Sequence, residues 1–183
     1  MTTVQSNVTL SKFLSLILRH RPETIGLRLD AQGWADVETL LHLMNAHGTT
    51  IDRALLAHLV ATNNKKRFTF NADGTKIRAS QGHSLAIDLA YTPQTPPDML
   101  YHGTATTTVA AIFASGGLDK RARQHVHLSA DPDTAAKVGQ RHGKPAVLRV
   151  RAGEMQRDGY TFYRADNGVW LTDHVPAAYL QQP

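Results

Sequence analysis

A two-lobed α+β chain is predicted by three features of the 183-residue sequence. Apolar residues recur at helical spacing in the first half, a proline-rich break follows Tyr91, and the second half carries short strand-like runs between turn residues. The length suits two small lobes, and a hydrophobic content of 42% is enough to build cores. The break Thr92-Pro93-Gln94-Thr95-Pro96-Pro97 resists helix and central strand, because proline removes a backbone donor and restricts the residue before it. It divides the chain into a lobe at 1–92, a linker at 93–97 and a lobe at 98–183.

The elements follow in order. Leu10, Phe13, Leu14 and Ile17 mark one face of a helix that Pro22 stops, leaving Arg19 and His20 at its C-terminal end. Asp36 is the expected N-cap of a second helix burying Val37, Leu40, Leu41 and Met44 and ending near Gly48; a third runs from about Asp52 to Thr62. Arg67 to Phe70 and Lys76 to Ala79 alternate in polarity and are joined by Asn71-Ala72-Asp73-Gly74, which is hairpin turn chemistry. Helices followed by a basic hairpin suggest a winged helix, with Phe68, Phe70, Ile77 and Ala79 facing inward and Arg67 and Arg78 projecting from the other side. In the second half, strands are expected at Met99 to His102, His125 to Ser129, Ala146 to Val150, Thr161 to Tyr163 and Val169 to Thr172, with a turn at Asn167-Gly168. Helices fit Thr107 to Ala114 and Asp131 to Val138, the latter with Asp131 as cap and Pro132 in its first turn.

Composition narrows the function classes. Zero cysteines exclude a disulfide framework, thiolate metal sites and thiol nucleophiles. No apolar run is long enough to span a bilayer, and Met1 to Val8 lacks a basic region followed by an apolar one, so a soluble, cytoplasmic protein is expected. No coiled-coil seam or extra apolar helix is visible, and a monomer is expected. The net charge of +5 invites a polyanionic partner without requiring one.

Five segments carry candidate chemistry. Arg19-His20-Arg21 pairs a forked guanidinium with an imidazole, which suits phosphate recognition and proton transfer, although a helix C-terminus also welcomes cations for its dipole. Arg78 leads into Ser80-Gln81-Gly82-His83-Ser84, a polar loop able to hold an RNA backbone or serve as an ordinary turn. In Tyr101-His102-Gly103-Thr104 the glycine lets backbone approach a ligand closely. His125 and His127 lie two apart on a strand and face one way; zinc is a rival reading, but no complete ligand set is apparent once Asp131 caps a helix. Gly139-Gln140-Arg141-His142-Gly143 is either a basic turn or a source of charge for a transferring phosphate.

Taken in order, these segments resemble the tRNA 2'-phosphotransferase family. Ser11-Lys12-Phe13-Leu14-Ser15 leads into Leu18-Arg19-His20-Arg21-Pro22. Gly26-Leu27, Leu29-Asp30, Gly33-Trp34, Ile77-Arg78-Ala79, Gln81-Gly82-His83-Ser84, Tyr101-His102-Gly103-Thr104, His125 to Ser129, Arg141-His142-Gly143 and Asn167 to Leu171 follow. The resemblance implies an N-terminal winged-helix lobe for RNA and a C-terminal lobe of the ADP-ribosyltransferase fold for NAD. It assigns catalysis to Arg19, His20, Arg78 and Arg141, and NAD binding to His102, Gly103, Thr104, His127, Leu128 and Ser129. Lys66, Arg67, Gln81 and His83 are the expected RNA contacts.

By that resemblance an internal 2'-phosphate of a tRNA-like RNA is moved to NAD in two steps, through an ADP-ribosylated RNA phosphate. The products are nicotinamide, 2'-hydroxyl RNA and ADP-ribose 1'',2''-cyclic phosphate, and tRNA splicing is the setting implied. An unperturbed imidazole has a pKa of about 6.5, which suits His20 to general acid-base work in the second step. Arginine forks can compensate phosphoryl charge, so no metal is expected. Protein-modifying ADP-ribosyltransferases place a glutamate near the last active-site strand, whereas Asn167-Gly168-Val169 offers none; an anionic phosphate nucleophile needs less activation. The rivals are an enzyme that stops at ADP-ribosylation of nucleic-acid terminal phosphates, or of protein, and a non-enzymatic winged-helix nucleic-acid binder.

Overall fold

The structure, a computed structural model, describes residues 6–182. The sequence reading of Met1 to Val8 therefore lies in part outside the described residues. The chain separates into two compact units, one ending at Ala90 and the other beginning at Tyr91. Among the described residues there are six α-helices and four small sheets, and every strand pair is antiparallel.

In the first unit α1 (Asn7–Arg19) is capped by Ser6, whose hydroxyl accepts from the Thr9 amide, and buries Leu10, Leu14, Ile17 and Leu18. It ends where expected: His20 caps it, and a short 3-10 turn begins at Pro22. β1 (Ala35–Asp36) leads directly into α2 (Val37–Ala46), and Asp36 accepts from the Thr39 amide at 2.7 Å as the foreseen cap. α3 (Arg53–Ala61) is capped in the same way by Asp52. The hairpin of β2 (Phe68–Phe70) and β3 (Lys76–Ala79) forms around Gly74, whose φ of 71° the turn requires. β1 was not foreseen. It pairs with the free edge of β3, giving the order β1-β3-β2. Phe68, Ile77 and Ala79 enter the core as expected, and Phe70 packs against it partly buried.

In the second unit the six-residue β4 (Leu100–Ala105) is followed by α4 (Thr106–Ala114), β5 (Gly117–Asp119) and β6 (Val126–Leu128). Next come α5 (Pro132–Gly139), β7 (Pro145–Val150) and α6 (Ala152–Arg157). β8 (Tyr163–Arg164), β9 (Trp170–Thr172), β10 (His174–Pro176) and β11 (Leu180–Gln181) complete it. The sheets are β11-β7-β4, β6-β9-β8 and β10-β5. Asp131 caps α5 as expected, accepting from the Thr134 amide at 2.7 Å. Asn167-Gly168 turns between β8 and β9, with Gly168 at φ 83°. Leu100, Leu148, Val150, Met155 and Phe162 form the centre of this unit's core. The strand expected at Thr161 to Tyr163 lies instead at Tyr163–Arg164, because Phe162 turns into the core and its carbonyl accepts from Gln94.

Candidate functional site

Arg78 is the buried arginine among the described residues of the first unit. Ala35 pairs with Ile77, and carrying that register one residue further sets Trp34 opposite Arg78. The guanidinium carbon lies 4.4 Å from the indole centroid, close enough for cation–π attraction. Nη1 donates to the carbonyls of Leu89 at 3.1 Å and Gln32 at 3.5 Å, and the residue is only 9% exposed. Arg78 thus projects from the other side of the hairpin, as expected, but that face is covered rather than open. Alternation does turn Arg78 away from Ile77, but Trp34 and the chain leading to Leu89 cover that face.

Asp30 holds Trp34 in place. One carboxylate oxygen accepts from the amides of Gln32 and Trp34, both at 3.0 Å, and the Asp30 amide donates to the Trp34 carbonyl. Burial pushes the Asp30 carboxyl pKa up, but the amides of Trp34 and Gln32, together with Lys76 at 3.3 Å, outweigh it and hold the group below its ordinary value. Gly33, at φ 81°, completes the turn; a β-carbon there would meet Ile87 at 3.0 Å and His83 at 3.3 Å.

Around the end of α1 the structure gathers Arg19, His20 and His83. His83 is 2% exposed, and neither ring nitrogen has a hydrogen-bond partner within the protein. Burial, followed by the charges of Arg19, His20 and Arg78, pushes its pKa down to about 4. The ring is therefore neutral near pH 7, at the centre of a cationic group. His20 is exposed, and its Nδ1 lies 2.9 Å from the Ser84 hydroxyl. The Ser84 amide in turn donates to the Arg19 carbonyl at 3.0 Å. Of the expected RNA contacts, His83 joins this group, while Lys66 is exposed and Arg67 and Gln81 are partly buried. The carbonyls of Lys66 and Arg67 accept from the hydroxyl and amide of Ser80, which fixes their backbone beside the loop.

The second unit holds a separate group. The bridge between Tyr101 and Ser129, with reciprocal amide–carbonyl bonds of 2.8 Å, lays β4 against the end of β6. It places His102 Nδ1 3.2 Å from the His127 carbonyl. A carbonyl only accepts, so Nδ1 carries the proton and Nε2 is left as an acceptor. Burial lowers the His102 pKa; the bond to His127 opposes that, and the charges of Arg121, Arg123 and His142 reinforce it. Arg123 donates to His127 Nδ1 at 2.8 Å. His125 instead packs edge-on against Tyr163, so the two strand imidazoles have different partners.

Several of the expected NAD-binding residues also serve packing. Leu128 is 1% exposed and lies in the core, so any ligand contact it makes is through its backbone. Gly103 serves helix packing: a β-carbon would fall 1.7 Å from the Ala135 carbonyl oxygen in α5. Gly139 reciprocates, its β-carbon position being 2.5 Å from the Thr104 carbonyl oxygen. Thr104, the next residue after Gly103, is buried at 8% exposure. Arg141 is exposed on the 3-10 turn Gln140–His142, next to the histidine whose charge bears on His102. Trp34, Asp30, Arg121 and Arg123 were given no role from the sequence, and Ser84 was named only as part of a polar loop. The strand register that joins Trp34 to Arg78 is nonlocal, but a polar Asp30 with Gly33 immediately before an aromatic was a readable turn.

Comparison with known proteins decides the family. The family model described as "RNA 2'-phosphotransferase, Tpt1 / KptA family" matches residues 5–174. The chain belongs to the RNA 2'-phosphotransferase, Tpt1 / KptA family. Curated relatives bearing the name "Probable RNA 2'-phosphotransferase" include one from Agrobacterium fabrum, 59% identical over 93% of this chain and 91% of its own length. One from Acaryochloris marina is 55% identical over 93% of both. Another, from Pectobacterium atrosepticum, is 48% identical over 97% of this chain and 99% of its own. Among the described residues, no helix is long and apolar enough to cross a membrane.

Proposed function

We propose that this protein is an NAD-dependent RNA 2'-phosphotransferase, with a winged-helix first unit that takes the RNA and a second unit of the ADP-ribosyltransferase fold that takes NAD. The observation carrying this reading is the grouping of Arg19, His20 and Arg78 about a neutral His83, in a chain that matches the family over residues 5–174. Guanidinium groups bind phosphate oxygens in a fork and compensate the charge of a transferring phosphoryl group. Lys66, Arg67, Gln81 and His83 are the proposed contacts to the RNA strand.

NAD, the second substrate, is assigned to His102, Gly103, Thr104, His127, Leu128 and Ser129. The residues suit it: His102 Nε2 is an unprotonated acceptor suited to a ribose hydroxyl, and the charges of Arg121 and Arg123 beside it suit a pyrophosphate. In the first step an oxygen of the RNA 2'-phosphate forms a bond to C1'' of the nicotinamide ribose, and nicotinamide leaves with the bonding pair. In the second, the 2''-hydroxyl bonds to phosphorus and the bond to the RNA 2'-oxygen breaks. His20 takes the proton from the 2''-hydroxyl and returns it to the RNA oxygen, while Arg19, Arg78 and Arg141 hold the phosphoryl charge. The substrate proposed is an internal 2'-phosphate of a tRNA-like RNA such as splicing leaves.

The test is to incubate the purified protein, in EDTA, with NAD and a short RNA bearing one internal 2'-phosphate, and to weigh the products. Cyclic-phosphorylated ADP-ribose with dephosphorylated RNA is expected. ADP-ribosylated RNA alone would replace this reading with an ADP-ribosyltransferase that stops after the first step, and unchanged RNA that stays bound would leave only a binding module.

A further inference from the structure

The loop after β3 touches the end of α1 at one residue in two ways. The Ser84 amide donates to the Arg19 carbonyl at 3.0 Å, and its hydroxyl meets His20 Nδ1 at 2.9 Å. Ser84 therefore grips both members of the Arg19-His20 pair, one through backbone and one through side chain. The same short stretch begins at Arg78, turns at Gly82 with φ 86°, and passes the buried ring of His83. A serine oxygen can accept a hydrogen bond or donate one, so the geometry leaves the proton's place to chemistry.

That chemistry is restrictive. A histidine that both takes and gives a proton at Nε2 needs Nδ1 protonated in its neutral form, and an acceptor facing Nδ1 in both charge states. A free imidazole in water favours the opposite tautomer, with the proton on Nε2, so the protein has to supply the bias. Ser84 Oγ stands where that acceptor is needed, and its own O–H, on an exposed residue, can turn to solvent.

We propose that Ser84 is a positioning residue for the proton transfer: its hydroxyl accepts from His20 Nδ1–H, fixes the ring's orientation and leaves Nε2 as the atom that exchanges the proton. This rests on the reading of His20 as the general acid-base of the second step. Ser84 touches neither substrate in this scheme; it acts through His20, and its backbone bond to Arg19 keeps the loop in register with the helix end.

Ser84→Ala removes the hydroxyl while keeping the amide bond to Arg19, and Ser84→Thr keeps both. With 2'-phosphorylated RNA and NAD, Ser84→Ala should lower kcat about tenfold with KM for RNA within about twofold, and Ser84→Thr should restore most of the loss. Independently of turnover, long-range nitrogen–proton NMR of neutral His20 should show the Nδ1-protonated tautomer in the unaltered protein and in Ser84→Thr, and the Nε2-protonated tautomer in Ser84→Ala. The same Nε2-protonated tautomer in all three proteins would overturn the proposal, as would full kcat in Ser84→Ala. A protein that turns over no RNA but shows the tautomer switch would overturn the proposed reaction and leave Ser84 as the residue that orients His20.

Discussion

The two units assemble positive charge in opposite ways. In the first, the key arginine is buried: Arg78 is stacked on Trp34, tied to two backbone carbonyls, and placed by strand register. In the second, Arg121, Arg123 and Arg141 are exposed, and what is fixed is the backbone, through the interlock of Gly103 with Ala135 and of Gly139 with Thr104. One unit orients a side chain, and the other orients a strand and helix that carry side chains on their rims. A cation held in a socket loses little freedom when an anion arrives, whereas an exposed arginine must be ordered at that moment. Mutations should accordingly cost stability in the first group and, at the exposed arginines of the second, affinity or rate.

The sharpest way to break this contrast is at Gly103. A methyl placed 1.7 Å from a backbone oxygen has no flexible neighbour to displace. Gly103→Ala should therefore cost the second unit about 4 kcal/mol or more. Peptide-resolved hydrogen exchange should show Leu100 to Val150 losing protection while Leu10 to Ala79 keeps it. Equal loss in both units would mean that they fold as one cooperative body.

Next in size is the acid sensitivity of the first unit. The folded pKa of His83, about 4, lies below the ordinary imidazole value of 6.5, so between those values the unfolded chain binds more protons than the folded one. Stability should be level above pH 6.5 and fall as pH drops toward 4, by on the order of 3 kcal/mol once both forms are protonated. Urea unfolding across this range, compared with His83→Gln, isolates the effect; an unchanged slope in the variant would show that His83 binds its proton equally well in the folded and unfolded chain.

The smallest difference separates two arginines proposed to share one reaction. Arg78→Ala removes the stack on Trp34 and strips two carbonyls of their donor, so thermal unfolding should reveal a loss of about 1–3 kcal/mol. Arg141→Ala, at an exposed turn, should stay within about 0.5 kcal/mol. Both should accumulate the ADP-ribosylated RNA. Full turnover by Arg141→Ala would remove that residue from the catalytic group.

Much of this was legible in the sequence wherever the signal is local. Asp36 and Asp131 cap the helices that their position announced, Pro22 stops α1, and Asn167-Gly168 turns a hairpin. The short strands β1, β5, β10 and β11, of two or three residues each, have too few positions to show a period, and they were missed. The site divides in the same way. The order of motifs pointed to the family, and alternation turned Arg78 away from the core face, but only the pairing of β1 with β3 brings Trp34 over it. Gly103 shows the limit from the other side: a glycine between polar ligand-type residues reads as room for a ligand, and its close packing against α5 is a nonlocal contact that no local pattern announces.

The indole beneath Arg78 also turns the protein into its own optical instrument. Emission from tryptophan shifts with the charge beside the ring, and the sequence has two tryptophans, Trp34 and Trp170. Trp170 lies in the other unit, with the guanidinium of Arg164 at 5.8 Å, so its contribution is separable by substitution. Any movement of Arg78 toward an incoming phosphate becomes a change in colour, readable without label, in real time and before any bond is made.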